Sequence, residues 1–463
     1  MSLTLENLQK TGVHLLGIGG IGVSALARML LQSNVPVSGC DVRESTLTTA
    51  LRAEGVDVRI GHSPKHLANS EAVVYSTAVP EDNPELAAAR ESNSEVLHRS
   101  ELLGVLCDQH FTVGVTGTNG KGTVATMITW ILEAAGMEPS FYIGGLCPNL
   151  GTNARCAGSG PLVAELDESD GSLVNIQPRW ALLNNLELDH LNYYRDFDQA
   201  VATIETFFGN LGDDARGFFN ADDEGTRKVS HRLPGLSKVF FGKGEDADYR
   251  FETVEVLDTT SRFVVTSGGE SVEYVVNVPG AYNIENAVGA IAVTKELGVP
   301  TADIRRGLAT FRGLDNRYTV LRAGGRQLIK DYMSHPTGIR KVLATARLGE
   351  PERLIAVFKP YRYTMIRYHA KNYATAFAGA DEVIITDMWE GGEEPIPGVD
   401  TSWLVEQMRE AGLNVRHLPE MELIPPYLMD RSAPGDCVVF FGGNDLFELA
   451  EGLARKLSGG EHG

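Results

Sequence analysis

Cysteine is scarce in this chain. There are five in 463 residues, Cys40, Cys107, Cys147, Cys156 and Cys437, with no Cys-x-x-Cys pair among them. An odd, scattered set argues against a disulfide framework or a zinc site. Cys147 and Cys156 fall in a Gly/Asn/Pro loop, but no motif around them marks a nucleophile. Positive charge is also short: 41 Lys plus Arg stand against 61 Asp plus Glu, a formal charge of -20. Such a chain repels nucleic acid and anionic membrane, so neither is expected as a partner, and an anionic ligand must be held by local sites. No run approaches the roughly 18 consecutive apolar residues of a spanning helix. Met1 to Lys10 lacks a signal-peptide pattern, and a cytoplasmic location is expected. Internal repeats are absent, and the one low-complexity tract is a tail, Ser458 to Gly463, expected to fray.

Glycine, at 50 residues, is plentiful, and its placement is informative. The length exceeds what one hydrophobic core serves and points to about three domains. From Gly12 to Asp108, short apolar runs such as Val13 to Leu16, Val35 to Cys40 and Ala72 to Tyr75 alternate with helical patterns such as Ile21 to Leu31. That is the pattern of a parallel α/β domain, assigned to residues 1–108. A second domain, 109–322, carries strands near Leu162 to Glu165 and Trp180 to Asn184, then β alternation from Tyr249 to Val278, then helices over Asn283 to Leu297 and Thr301 to Thr310. The segment Phe311 to Arg326 reads as a hinge. A third α/β domain, 323–463, has strands at Leu354 to Phe358, Glu382 to Thr386 and Cys437 to Phe441. The expected fold is α/β in three domains: Rossmann-like, P-loop ATPase-like and Rossmann-like again.

Thr116-Gly117-Thr118-Asn119-Gly120-Lys121-Gly122-Thr123 follows the apolar run Phe111 to Val115 and precedes a helical pattern from Val124 to Ala135. A glycine-rich strand-to-helix turn exposes backbone N–H groups at the positive end of a helix dipole, and Lys121 adds a mobile cation. ATP is the first candidate ligand, with Thr123 as the hydroxyl for Mg²⁺. A second cluster, Gly17, Gly19, Gly20 and Gly22 in Gly-x-Gly-x-x-Gly spacing, also lies between strand and helix, and Asp41 ends the next strand. This suggests a second diphosphate site: NAD is the default occupant, a UDP-sugar the alternative, and tight helix–strand packing the bland reading. Glu165 to Asp170 follows a strand, where carboxylates face the ligand crevice and suit Mg²⁺. His190 ends another strand candidate at a similar level, and could either join that site or simply face solvent. Asn283 and Asn286 stand three apart at a helix start and would point one way, to read an adenine edge or to cap.

Together these segments resemble the ATP-dependent Mur ligases of peptidoglycan synthesis, and within them the alanine-adding branch. The carriers are Gly17 to Gly22 with Ser24, Thr116 to Thr123, Glu165 to Asp170, Glu187 to His190, Asn283 to Asn286, Asp331-Tyr332 with His335-Pro336-Thr337, Phe358 to Thr364, and Gly392 to Ile396. The resemblance implies that ATP phosphorylates the carboxylate of UDP-N-acetylmuramic acid and that an amino acid's amine attacks the acyl phosphate. It places the uridine diphosphate on Gly17 to Gly22 near Asp41 and the ATP phosphates on Gly117 to Thr123. Lys121 would bridge phosphates, and Glu165 and His190 would hold Mg²⁺. Asn283, Asn286, Arg317 and Asp331 would hold the nucleoside. His335 is assigned to catalysis, and Arg362 and Arg367 to the transferring phosphate or the amino-acid carboxylate. A monomer or weak dimer is expected.

The departures from the family pattern are local. Asn119 and Gly122 give the loop a form like that of folylpolyglutamate synthases. Asn316, Met333, Ser334, Tyr361 and Met365 replace other residues around the incoming amine. No lysine lies between Lys121 and Lys228, so the carbamylated lysine of several sister ligases has no counterpart. The alternatives are a Mur-type ligase with a different amino acid, peptide or acceptor, a noncatalytic nucleotide-sensing relative, and an NAD-dependent oxidoreductase. The last would leave Lys121, Glu165 and His190 without a task.

Overall fold

The computed structural model describes residues 4–67, 70–92 and 94–459. Three sheets follow one another along the chain. The first has five parallel strands in the order Asp57–Ile60, Val37–Asp41, Val13–Leu16, Ala72–Tyr75, Glu95–His98. Its central strand, Val13–Leu16, is buried along its whole length, as a strand covered by helices on both faces must be. Helices begin where the sequence supplies caps: Ser45 closes a capping box on Thr46–Ala53, and Asn83 accepts from two N–H groups ahead of Pro84.

The second sheet has ten strands. Its parallel centre runs Ser237–Gly242, Arg216–Asn220, Trp180–Leu183, Thr112–Thr116, Leu162–Glu165, Ser140–Tyr142. The expected β region forms an antiparallel wing, Tyr249–Val256, Ser261–Ser267 and Glu270–Val276. Helices Lys121–Ala134 and Ala281–Glu296 pack on this sheet through Ile128, Ile131, Ile284, Ala287 and Ile291.

The third sheet orders Thr319–Ala323, Arg326–Asp331, Cys437–Phe441, Leu354–Phe358, Glu382–Ile385 and Val415–His417. Thr319–Ala323 pairs antiparallel with Arg326–Asp331. This corrects two expectations. A boundary between residues 322 and 323 would cut a strand, and the hinge cannot extend to Arg326, because its second half is sheet. What remains is 311–318. Its first part is fastened to the second domain by Arg312 N to Asn149 Oδ1 at 2.7 Å and Asp315 N to Leu146 O at 2.9 Å. Its end is fastened to the third, by Tyr332 N to Asn316 O at 2.9 Å and Tyr318 N to Asp331 Oδ2 at 2.8 Å. Asn316 and Tyr318 both take left-handed φ, 58° and 51°.

Of the tail, Ser458 and Gly459 close the last helix, Asn444–Gly459, rather than fray; residues 460–463 lie outside the described residues. No described helix is long and apolar enough to cross a membrane.

In the third domain, buried His369 stacks edge-on against His335 at 4.7 Å. Burial, and then the neighbouring His335, push its pKa down to about 4. An unfolded histidine takes up its proton near pH 6.5, so the unfolded state gains protons first as pH falls. Stability should therefore drop between pH 6.5 and about 4, by about 3 kcal/mol from this group alone. Melting curves of His369→Gln across that range should lack this part of the slope.

Candidate active site

A single cleft of about 1680 Å³ is walled by all three domains. Its floor is the loop between strand Thr112–Thr116 and helix Lys121–Ala134. Gly117 and Gly120 adopt φ of 133° and 84°, conformations that side chains disfavour. There is no room for a side chain either: a Cβ on Gly120 would lie 2.6 Å from Asn286 Oδ1.

The loop is held by amides. Asn119 N donates to Asn185 Oδ1 (2.7 Å), and Asn119 O accepts from Asn184 Nδ2 (3.0 Å) and Asn185 Nδ2 (2.8 Å). Asn184 Nδ2 also reaches Asn286 Oδ1 (2.8 Å), Asn286 Nδ2 donates to Asn283 Oδ1 (3.0 Å), and Asn283 Nδ2 to Pro279 O (2.7 Å). Asn283 and Asn286 thus line the cleft but spend their amides on a chain that supports the phosphate loop, which departs from the expected free adenine-reading pair. Nor does Asn283 cap the helix, whose N-cap is Gly280.

Gly122, an unusual residue at its position in the alanine-adding pattern, has a physical reason here. A Cβ would come within 2.9 Å of Leu314 Cδ2 and 3.1 Å of Glu165 Oε2. The helix therefore packs directly on the hinge leucine and on the carboxylate. Thr123 faces the cleft one residue later.

Lys121 does not stand in solvent. Its ammonium lies 3.0 and 2.8 Å from the two oxygens of Glu168, whose side chain is 3% exposed. Burial opposes charge on this lysine, but Glu168, Asp167 and Glu165 outweigh it and raise its pKa. Glu168 also faces His190 Nε2 at 3.5 Å. Burial works against the His190 cation as well; Glu168 and Asp189 prevail and raise its pKa above the ordinary value. Asp167 would be raised by burial, yet Lys121, Arg99 and His190 hold it down at about 2.

Glu165 accepts from Gly144 N at 2.6 Å, and burial lifts its pKa despite Lys121. Glu165 and His190 share the cleft wall but hold separate partners, Gly144 N and Glu168. Glu168 was legible as part of an acid run though not as the lysine's partner. Arg99, 2.9 Å from Asp167 Oδ2, carried no motif signal.

At the first domain's edge, Gly17, Gly20, Gly22 and Asp41 line the cleft, and Gly17 turns with φ of 70°. Gly19 does not. Its N–H donates to Asp41 Oδ2 at 2.9 Å, and a Cβ there would strike that carboxylate at 2.8 Å, so Gly19 serves Asp41 rather than a ligand.

On the opposite wall, Asp331 has both oxygens engaged by backbone, Tyr318 N (2.8 Å) and Met333 N (2.9 Å). Burial keeps its pKa high, against Arg317 and these N–H groups. Asp331 lines the cleft yet pins the hinge, a role the sequence did not suggest. Arg317 lies over the Tyr332 ring at 5.1 Å, with Nη1 3.3 Å from Asn316 O. His335 caps helix Pro336–Arg347 and approaches Glu187 Oε2 at 3.1 Å, across the domain junction.

Neither Arg362 nor Arg367 lines the cleft. Arg362 sits over Tyr361 at 5.0 Å with φ of 62°, and Arg367 is exposed on the helix Tyr363–Ala376. The cations that the third domain does set on the wall are Lys359, paired with Asp445, and Lys341, 3.5 Å from Glu285. Tyr361 and Trp389, rings 4.7 Å apart, line it beside Lys359. Met365 is buried in the core, and Met333 fills the space over Gly338.

A phosphate loop, an acidic wall and a glycine turn thus open onto one cleft walled on its far side by the third domain, the arrangement of a three-domain nucleotide-binding protein. Three family profiles match in order: Mur ligase family, catalytic domain, over 12–111; Mur ligase middle domain, over 115–294; and Mur ligase, glutamate ligase domain, over 316–444. The chain is 36% identical over 458 residues to the UDP-N-acetylmuramate--L-alanine ligase of Trichlorobacter lovleyi, covering 97% of this chain and 99% of that one. It is 36% identical over 453 residues to the enzyme of the same name from Carboxydothermus hydrogenoformans, covering 96% of each. A UDP-N-acetylmuramate-alanine ligase from Thermotoga maritima superposes with a TM-score of 0.82 at 25% identity, over 97% of this chain and 99% of that one. The chain belongs to the Mur ligase family.

Proposed function

We propose that this chain joins L-alanine to the carboxylate of UDP-N-acetylmuramic acid at the expense of ATP, in the cytoplasm, for peptidoglycan precursor synthesis. The observation that carries this reading is the common cleft: the phosphate loop with Lys121, the acidic wall and the first domain's glycine turn open onto one space closed by the third domain. The named relatives, similar over nearly their whole lengths, supply the substrates.

A free carboxylate is a poor electrophile, and phosphorylation gives it a leaving group that the amine can displace. In this reading the loop N–H groups and Lys121 bind the phosphates of ATP, and Lys121 leaves Glu168 to do so. The turn at Gly17, Gly20 and Gly22 holds the UDP diphosphate. Asn283, Asn286, Arg317 and Asp331 shape the nucleoside end, the amides and Asp331 through the segments they fix. His335, at the junction with Glu187, orients the third domain.

The donors fit Mg²⁺, since Glu165 and Asp167 offer carboxylate oxygens and Thr123 a hydroxyl near the loop. Bound there, the ion would neutralise charge developing on the phosphates. Glu165 and His190 must both shed protons to become ligands, and both have raised pKa values. Mg²⁺ affinity should thus strengthen as pH rises, by up to about tenfold per pH unit for each proton displaced. Glu165→Gln should weaken the Mg²⁺ dependence of turnover more than UDP-sugar binding. Calorimetric titrations with each ligand check this, and equal losses would remove Glu165 from the metal site.

The overall reading is tested by phosphate release from ATP and UDP-N-acetylmuramic acid against the twenty amino acids and short peptides. L-Alanine should give the highest kcat/KM. Turnover with another amine alone would leave only the ligase class, and none with any amine would overturn the sugar assignment too.

A further inference from the structure

Behind the glycine turn of the first domain lies a buried cluster with no part in the chemistry above. Its centre is Glu85, in the first turn of helix Pro84–Glu91 and fully buried. One carboxylate oxygen, Oε2, lies 2.7 Å from His62 Nδ1 and 2.8 Å from Cys40 Sγ; the other, Oε1, lies 2.7 Å from His66 Nδ1 and 3.4 Å from His14 Nε2. Cys40 Sγ is 3.2 Å from His62 Nδ1. The donor atoms of His14, Cys40 and Glu85 all fall within 4.8 Å of one another. Three imidazoles, a thiol and a carboxylate thus converge from two strands, a loop and a helix.

His14 gives the second observation. It is 1% exposed, and its Nδ1 is 2.9 Å from Ser38 Oγ, while its Nε2 has no hydrogen-bond partner. A histidine whose Nδ1–H is held by an outer partner presents the lone pair of Nε2, as metal-ligating histidines do. In the tautomer whose Nδ1–H is held by Ser38 Oγ, Nε2 turns its lone pair toward Glu85 Oε1, a pairing that a cation between them would satisfy.

We propose that His14, Cys40, His62 and Glu85 form a zinc site, with His66 holding the remaining carboxylate oxygen. Thiolate and imidazole donors select zinc over magnesium, which prefers an all-oxygen shell. Zn–N distances near 2.0–2.1 Å and Zn–S near 2.3 Å put tetrahedral ligands about 3.3–3.6 Å apart. The Cys40–His62 contact at 3.2 Å already approaches this, while His14 Nε2 lies 3.4 Å from the carboxylate oxygen that His66 holds. The contacts at 2.7 and 2.8 Å must open by about 0.6–0.8 Å to reach it. Thiolate and carboxylate together cancel the ion's charge, which a buried site requires. On binding, the Cys40 thiol gives its proton to solvent. His62, at the cleft wall, supplies the access route.

The scatter of cysteines in the sequence argued against such a site, because only one of them takes part and its partners lie 22 to 45 residues away. The consequence is local. Cys40 O accepts both Gly17 N (2.9 Å) and Ile18 N (3.0 Å), so the ion would staple the strand that holds the glycine turn.

The test is cobalt titration of the metal-stripped full chain in excess Mg²⁺, read by absorbance. The expected result is one equivalent bound, with tetrahedral visible bands and a thiolate-to-cobalt charge-transfer band that zinc abolishes. Cys40→Ser should lose the charge-transfer band while circular dichroism stays native. His62→Gln, at a half-buried loop position on the cleft wall, keeps a polar partner for Glu85 and should bind cobalt at least tenfold more weakly, with circular dichroism again native. Absence of the charge-transfer band in the parent protein would overturn the proposal. So would its persistence in Cys40→Ser, or unchanged affinity in His62→Gln.

Discussion

Lys121→Ala is expected to lower ATP-dependent ADP formation by roughly 10³-fold or more, the scale on which a cation at a transferring phosphoryl group is felt. The loss should fall on kcat as well as on KM for ATP, because charge on the phosphates grows toward the transition state. The substitution also has a cost in the folded protein. Glu168 is almost fully buried and would keep only His190 as a cationic neighbour. An uncompensated buried charge costs a few kcal/mol, so the melting temperature should fall too. The double variant Lys121→Ala, Glu168→Gln separates the two effects: stability should return and activity should not. ADP formation near the parent level in either variant would remove Lys121 from the phosphate site.

Lys359 should be the next most sensitive position. It brings a cation from the third domain to the cleft wall, next to Tyr361 and Trp389, whereas Arg367 points away on an exposed helix face. Lys359→Met should reduce kcat/KM by about 10²-fold, with the amino acid's KM carrying much of the change. Arg367→Ala should stay within about twofold of the parent. Steady-state kinetics with the amino acid varied decide between these positions, and the reverse ranking would return the role to the arginine. Asp445, paired with Lys359, should matter only through the lysine.

The elements around the phosphate loop were legible because their signals are local. A buried strand, glycines at positive φ and a helix with Lys121 at its first position all lie within one stretch of chain. The glycine turn at Gly17 was legible for the same reason. What the sequence concealed were side-chain destinations. Asn283 and Asn286 share a helix face as expected, but Asn286 is tied to Asn184, about a hundred positions away, and Asn283 to Asn286 and Pro279. Asp331 was assigned to the nucleoside by resemblance alone; the backbone N–H groups that consume it belong to turns whose shape no motif announces. Arg362 and Arg367 were placed by analogy, and the left-handed backbone at Arg362 turns its guanidinium onto Tyr361. The hinge was drawn too long because Ala323-Gly324-Gly325-Arg326 reads as a flexible linker, when it is the tight turn of a hairpin.

The fastening of the segment 311–318 determines the geometry of any movement. Everything through Asp315 travels with the second domain and everything from Asn316 with the third, so the joint narrows to one peptide link, crossed by Arg317 N to Leu314 O at 3.1 Å. A joint that small works as a pivot rather than a sliding plane. The third domain then acts as a lever, and Lys359 and Trp389 at the rim sweep much farther than Arg317 beside the fulcrum. Arg317 and Leu314 flank that fulcrum and also line the cleft, Leu314 against the bare face of Gly122. A ligand on the phosphate loop would therefore bear on the axle itself, where a small displacement becomes a large one at the distant wall.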